Sequence, residues 1–271
     1  MYPFIYRRPG TLADAQRLFG EAENASFLSG GHTLLPALKM RLAMPSDLID
    51  LAAIPELHGI RFENGLLSIG ATTRHAEVAA SPVVSEKIPA LAGLAGSIGD
   101  RHVRHRGTIG GSVANNDPAA DYPAGVLGLG ATIVTNRRQM AADDFFVSLY
   151  ETALEPGEIV TRIVFPVPVI ASYAKFRSAA SRYSVAGVFV ARTGSAVRVA
   201  VTGAGATGVF RPAELEAALT ADFRPEAIAG CAIDPDTLLS DQNASAEYRA
   251  NLILVLARRA MEKLGTIQSF K

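Results

Sequence analysis

Two pairs of glycines are the residues of this sequence best suited to binding chemistry. Gly30-Gly31 and Gly110-Gly111 each have a hydroxyl residue close by, Thr33 and Ser112 respectively. Glycine lets a backbone approach a ligand closely and adopt positive φ, and consecutive backbone N–H groups can form a nest that binds an anion. Two such loops could hold one pyrophosphate from two sides, although a Gly-Gly pair on its own is more often a plain turn.

The residues around both pairs resemble two signatures of one family. Ser29–Pro36 resembles the first signature of the FAD-binding medium subunits of the xanthine dehydrogenase/carbon monoxide dehydrogenase type, which belong to the molybdenum hydroxylases. Thr108–Ser112, followed by Asp117–Asp121, resembles the second signature. The resemblance extends over the whole chain, with weaker similarity at its opening and in its last third. Two signatures in the correct order indicate an FAD-binding subunit.

The resemblance implies a site for FAD, held without a covalent bond, and it assigns no catalytic residue and no metal ligand to this chain. The first loop is expected to wrap the pyrophosphate, the second to lie on the flavin side, Asp121 to bond a ribose or adenine group, and Ile98 to lie near the adenine. Val160 is expected to give a backbone contact, and Arg177 and Tyr183 to approach the flavin. The full set is Leu28, Ser29, Gly30, Gly31, His32, Thr33, Leu34, Leu35, Ile98, Thr108, Ile109, Gly110, Gly111, Ser112, Asp117, Asp121, Val160, Arg177 and Tyr183.

The resemblance also implies partners. A large subunit would carry a molybdenum–pterin centre, a small subunit would carry 2Fe-2S clusters, and FAD on this chain would pass electrons to an external acceptor. A flavin suits this junction because it accepts electrons singly or in pairs. The acceptor (NAD, a quinone or a protein) and the substrate are open, since the substrate pocket would lie on another chain.

Other interpretations stay open beside this one. A self-contained flavin oxidase of the vanillyl-alcohol oxidase fold would need its own catalytic acid/base groups, and a scaffold that has lost FAD would not need intact glycines. Residues 203–208 match the Gly-x-Gly-x-x-Gly dinucleotide fingerprint, but no helix start follows, so a turn is favoured. A single cysteine, Cys231, disfavours relatives that carry an additional cysteine-rich insertion.

The pattern of elements predicts an α+β fold that can position these loops. It predicts a β/α opening, a hairpin with an Asn64-Gly65 turn, a long functional loop over 106–122, and then three successive strands followed by helices. The resemblance implies a two-subdomain FAD-binding fold of the vanillyl-alcohol oxidase (PCMH) type over 1–168, with subdomains of about 1–57 and 58–168. A C-terminal α+β domain, with an antiparallel sheet plus helices, would cover 169–271.

Composition narrows the class of protein further. The 271 residues are 49% hydrophobic and 19% charged, which argues against disorder. Lys+Arg and Asp+Glu both number 26, so net charge gives no reason to expect nucleic acid or an anionic membrane as partner. No signal-peptide pattern opens the chain and no apolar run is long enough for a membrane span. A cytoplasmic protein is expected.

Overall fold

The computed structural model describes residues 1–268. The strands are β1 (Ile5–Arg7), β2 (Ala25–Leu28), β3 (Asp47–Asp50), β4 (Ile60–Glu63), β5 (Leu66–Gly70), β6 (Thr132–Thr135), β7 (Gln139–Ala141), β8 (Phe146–Ser148), β9 (Glu151–Thr152), β10 (Val160–Pro166), β11 (Ile170–Arg177), β12 (Ser184–Thr193) and β13 (Ala196–Thr202). The helices are α1 (Leu12–Glu21), α2 (Leu34–Lys39), α3 (His75–Ala80), α4 (Pro82–Lys87), α5 (Pro89–Ser97), α6 (Arg101–Arg106), α7 (Ile109–Asn115), α8 (Tyr122–Gly128), α9 (Ala142–Phe145), α10 (Ala213–Ala221) and α11 (Ala246–Gln268).

The first part of the chain is a small parallel sheet with strand order β1-β3-β2. Helix α1 connects β1 to β2, and α2 connects β2 to β3, which confirms the predicted β/α opening. The Thr11 hydroxyl caps α1 by accepting a hydrogen bond from the Asp14 backbone N–H at 3.1 Å. The first glycine pair therefore lies where β2 ends and α2 begins.

A five-stranded antiparallel sheet follows, with strand order β4-β5-β10-β6-β7. Strands β4 and β5 form the predicted hairpin. Asn64 has φ 52° and Gly65 has φ 78°, the positive angles that a type I′ turn requires at both positions. Helices α3 to α5 and α7 to α9 pack on this sheet around one core, which includes Leu67, Ile109 and Phe165.

The prediction of a loop over 106–122 is correct for residues 116–121 but wrong for most of the residues before them, which form α7. The Thr108 hydroxyl caps the helix by accepting a hydrogen bond from the Gly111 N–H at 3.2 Å. Ile109 and Val113 are fully buried in the core. Glycine has poor helix propensity, so the two glycines of α7 do not favour a helix. The cap and the burial of its apolar side chains stabilise the helix instead.

The C-terminal sheet has strand order β11-β12-β13 and is antiparallel, as predicted. Its central strand is buried on both faces. Val188 and Val190 pack with α10 and α11, whereas Phe189 and Ala191 belong to the core of the preceding sheet. Because alternate residues of a strand point to opposite faces, this one sheet is shared between two cores.

Two other sequence-based expectations concern the segments between elements. The turn expected at residues 203–208 is confirmed, since no helix begins before Ala213. The three larger sheets span 5–50, 60–166 and 170–202, while the domain boundaries near 57 and 168 stay predictions. Among residues 1–268, no helix combines the length and the apolar character that a membrane span requires.

Candidate functional site

A cleft of about 480 Å³ lies where the parallel sheet meets the turn after α5, helix α7 and the turn between β11 and β12. Its volume is within the range of small-molecule and cofactor sites. The first glycine loop forms one wall and the start of α7 forms another. Tyr183, on the turn before β12, reaches the cleft from the C-terminal part of the chain. The cleft therefore combines segments that are more than 150 residues apart in sequence.

The first glycine loop presents an array of free backbone donors. The N–H groups of residues 29–34 have no hydrogen-bond acceptor within the part of the chain that the structure describes. Gly31 has φ 73°, a left-handed conformation in which a side chain would be strained. The loop closes when Leu35 N donates to Gly31 O at 3.1 Å. Consecutive N–H groups in this arrangement suit an anion such as a phosphate.

The second glycine loop differs from the first because its donors are already used. Ile109 N donates to Thr73 O at 3.1 Å, and Gly110 N donates to Ala71 O at 2.8 Å. Gly111 N and Ser112 N both donate to Thr108, at its hydroxyl and its carbonyl. This loop can therefore offer a ligand its surface and its hydroxyl groups, but not the N–H array that the glycine pair alone suggested.

The glycines of the two loops are needed mainly because other segments of the same chain pack against them. A Cβ on Gly30 would lie 2.5 Å from the Arg106 carbonyl oxygen, and one on Gly110 would lie 2.4 Å from the Ala71 Cβ. The Ser29 and Thr108 hydroxyls also join the loops at 2.8 Å. Of the four glycines, only Gly31 has positive φ. The other three glycines are needed for their small size, which lets neighbouring segments of the protein pack closely. The sequence predicted instead that the glycines would let a ligand approach the backbone.

Most of the residues expected at an FAD site line this cleft. They are Leu28, Ser29, Gly30, Gly31, His32, Thr33, Leu34, Ile98, Thr108, Gly110, Gly111, Ser112, Asp117, Asp121, Val160 and Tyr183. Leu35 and Ile109 do not line it. The Leu35 side chain packs beside Gly31, and Ile109 is fully buried in the core. These two positions support the loops from behind rather than facing a ligand.

Arg177 also does not line the cleft, and its expected approach to the flavin stays a prediction. It lines a separate groove of about 490 Å³ between α5 and β11, together with Lys175 and Lys263. Strand β11 is the outer strand of its sheet, and its pairing with β12 shifts register between Phe176 and Arg177. No residue pattern in this segment indicated the β-bulge, which changes the direction of a strand locally.

Asp121 lies at the cleft but its carboxylate is already engaged by the protein. Oδ1 accepts hydrogen bonds from the Tyr173 hydroxyl at 2.6 Å and the Ser184 hydroxyl at 2.9 Å. Lys175 Nζ lies 2.9 Å from Oδ1 and 3.0 Å from Oδ2. Asp121 thus links the start of α8 to the C-terminal sheet. Its expected contact with a ribose or adenine group stays a prediction.

Burial shifts the pKa values of one carboxyl group and one phenolic hydroxyl group at the cleft. Burial raises the pKa of the Asp117 carboxyl, although Ala119 N donates to its Oδ1 at 2.9 Å. Burial also raises the pKa of the Tyr183 hydroxyl, and the charge of Asp117 adds to this effect. Tyr183 is therefore a neutral aromatic side chain at neutral pH, able to contact an aromatic ligand.

The structure adds two cleft residues that the sequence did not indicate. His75 is only 5% exposed, and burial lowers the pKa of its imidazole to about 4. Glu158 is buried, and the hydrogen bond from Arg138 lowers the pKa of its carboxyl to about 2. Neither residue lies in a recognisable motif, so their place in the cleft could be found only from the folded structure.

Comparison with known proteins gives one family for most of the chain. Residues 2–168 match the family model described as the FAD binding domain in molybdopterin dehydrogenase. The carbon monoxide dehydrogenase medium chain of Hydrogenophaga pseudoflava is 35% identical over 276 residues, covering 95% of this chain and 96% of the relative. The nicotine 6-hydroxylase medium subunit of Paenarthrobacter nicotinovorans is 34% identical, covering 96% of both chains.

A solved structure agrees with this family. The reconstituted CO dehydrogenase from Oligotropha carboxidovorans contains a chain that superposes with a TM-score of 0.86 at 34% identity. The match covers 97% of this chain and 99% of that one. The fold is therefore shared over the full length, including the C-terminal α+β part that lies beyond the matched family model.

Proposed function

Because this chain belongs to the family of FAD-binding domains in molybdopterin dehydrogenase, we propose that it is the FAD-binding subunit of a molybdenum hydroxylase complex. It would pass electrons from an iron–sulfur subunit, through FAD, to an external acceptor. The observation that carries the proposal is the run of free N–H groups at residues 29–34, which lines the cleft beside the loop that precedes α7.

The residues present fit a flavin dinucleotide. The N–H array supplies donors for two linked phosphates, as expected of backbone nests and loops before helices. Apolar side chains that include Leu34, Val103 and Val160 line the cleft and suit the faces of aromatic rings. Free polar donors next to an apolar wall match a ligand that is charged in its centre and aromatic at both ends.

The chain itself would bind the cofactor, orient it and limit its contact with water. The first loop would hold the diphosphate, while Thr108 and Ser112 would offer hydroxyl groups from the adjoining second loop. Tyr183 would cover part of the opening from the C-terminal turn. When bound, the flavin supplies chemistry that joins one-electron and two-electron carriers.

The implied partners follow from the relatives, whose names describe medium chains of larger enzymes. A large subunit with the molybdenum–pterin centre would oxidise the substrate, and a small subunit with 2Fe-2S clusters would deliver the electrons. The relatives act on substrates as different as carbon monoxide and nicotine, so the substrate of this complex stays open. A cytoplasmic location and the nature of the acceptor also stay predictions.

Purification of the tagged chain from its native host tests the proposal. We expect two further chains to accompany it and a flavin absorption spectrum, with the yellow colour released into the supernatant on acid precipitation. Colour that stays with the precipitate would contradict non-covalent binding. Oxidation of an organic substrate by this chain alone would contradict the subunit assignment and favour the self-contained oxidase.

A further inference from the structure

We propose that His75 is a positioning residue of the cleft, whose Nε2–H donates a hydrogen bond to the diphosphate of the bound dinucleotide. The inference rests on the proposed function, because it requires a dinucleotide in the cleft. His75 is the first residue of α3 and lines the cleft. Its backbone N–H donates to the Gly107 carbonyl at 2.9 Å, which fixes the residue next to the second loop.

The position of the imidazole ring depends on Gly107. A Cβ at this position would lie 2.5 Å from Nε2 of His75. The ring is thus packed directly against the backbone that leads into Thr108 and α7. A side chain at position 107 would displace the ring, so the glycine is required by the histidine rather than by a turn.

The two ring nitrogens are in different environments. Nδ1 is buried and has no hydrogen-bond partner among the described residues. The aromatic ring of Tyr122 lies 5.3 Å away, centroid to centroid. A proton on Nδ1 would leave a buried N–H without an acceptor, which native proteins almost always avoid. The neutral ring therefore carries its proton on Nε2, which is the nitrogen free to meet a ligand.

The charge state of His75 suits a donor in a closed site. Burial, together with smaller contributions from the nearby His32 and Arg104, lowers the pKa of the imidazole to about 4. The ring is therefore neutral at pH 7. A neutral N–H can donate to a phosphate oxygen without placing another charge in the buried wall, and hydrogen bonds to charged groups are among the stronger ones.

The neighbours of His75 are the reason for assigning the diphosphate as its partner. His32 belongs to the loop with the free N–H array, and it acts on His75 electrostatically. Gly107 immediately precedes the second loop. His75 therefore lies beside the point where the two loops meet, and it lines the same cleft as the free N–H groups that would hold the phosphates.

Two matched variants test the proposal in the purified complex after removal of FAD. In His75→Gln the side-chain amide can place an N–H near the position of Nε2, whereas in His75→Asn the shorter side chain cannot. We expect His75→Asn to weaken binding of FAD and of ADP by about ten- to a hundredfold. Binding of riboflavin, which has no phosphate, should not change, and His75→Gln should stay within about threefold of wild type.

The binding measurements on the two His75 variants distinguish a role at the diphosphate from other roles of this residue. Equal loss of riboflavin and FAD binding would overturn the diphosphate assignment, and unchanged FAD binding in both variants would overturn the role of His75. If His75→Asn does not fold, a tenfold loss in a well-folded His75→Gln would also contradict the proposal, since this variant keeps the donor. Failure of the wild-type complex to bind FAD would instead contradict the proposed function.

Discussion

Nζ of Lys175 lies 2.9 Å and 3.0 Å from the two carboxylate oxygens of Asp121, with the two side chains 8% and 5% exposed. This pair connects α8 to β11 next to the cleft. The loss of one partner from a buried ion pair leaves an uncompensated charge, at a typical cost of about 3–5 kcal/mol. Asp121 therefore stabilises the fold through its ion pair with Lys175.

Asp121→Ala is therefore expected to lower the free energy of unfolding by about 3–5 kcal/mol. Replacing both partners, as in Asp121→Ala with Lys175→Met, should recover a large part of this loss because no buried charge remains. Asp144→Ala, at an exposed carboxylate, is the control. Denaturant unfolding measures all three. Similar values for Asp121→Ala and Asp144→Ala would show that the pair contributes little.

Gly30→Ala is expected to reduce the affinity for FAD more than tenfold. The added Cβ would lie 2.5 Å from the Arg106 carbonyl oxygen, so the first loop must move away from the second. Gly20→Ala is the control, because a Cβ there meets nothing within 4 Å and lies in α1. The control should keep its FAD affinity and gain up to about 1 kcal/mol of stability. Fluorescence titration with FAD distinguishes the two, and equal affinities would contradict the close packing of the loops.

His75 is expected to make the protein less stable as the pH falls from about 6.5 to about 4. The unfolded imidazole takes up a proton near pH 6.5, whereas the folded one does so only near its lowered pKa of about 4. The unfolded state therefore binds more protons in this window, at a cost that reaches roughly 3 kcal/mol at its acid end. His75→Gln should remove this pH dependence. Urea unfolding at pH 7, 6 and 5 checks it, and parallel profiles for the two proteins would exclude it.

Glu158 is expected to stabilise the fold in a different and more acidic window. The hydrogen bond from Arg138 lowers the pKa of its carboxyl from 4.5 to about 2. The stabilisation is fully present above pH 4.5 and disappears as the pH falls towards 2, with a magnitude of roughly 3 kcal/mol. Glu158→Gln should therefore be less stable than wild type at pH 6 but nearly equal to it at pH 2.5. Glu155→Gln, at an exposed carboxylate, should differ little from wild type at either pH.

The sequence alone determined those features that depend on neighbouring residues. The Asn64-Gly65 turn, the β/α opening and the three successive strands of the C-terminal sheet follow from local backbone and side-chain chemistry. The two glycine signatures also identified the family, because their residue types are tied to a shared local backbone. These features could be predicted without knowing which distant segments would meet.

The tertiary structure decided which groups remain available to a ligand. Gly110 N is taken by Ala71 O, nearly 40 residues away in sequence, while the N–H groups of the first loop keep no such partner. The two glycine pairs look alike in sequence, but only the first loop keeps free N–H donors for a ligand. Long-range contacts likewise made a helix of the segment after Thr108 and committed Asp121 to Lys175. Hydrogen-bond satisfaction and burial are properties of the whole fold, so no local pattern could decide them.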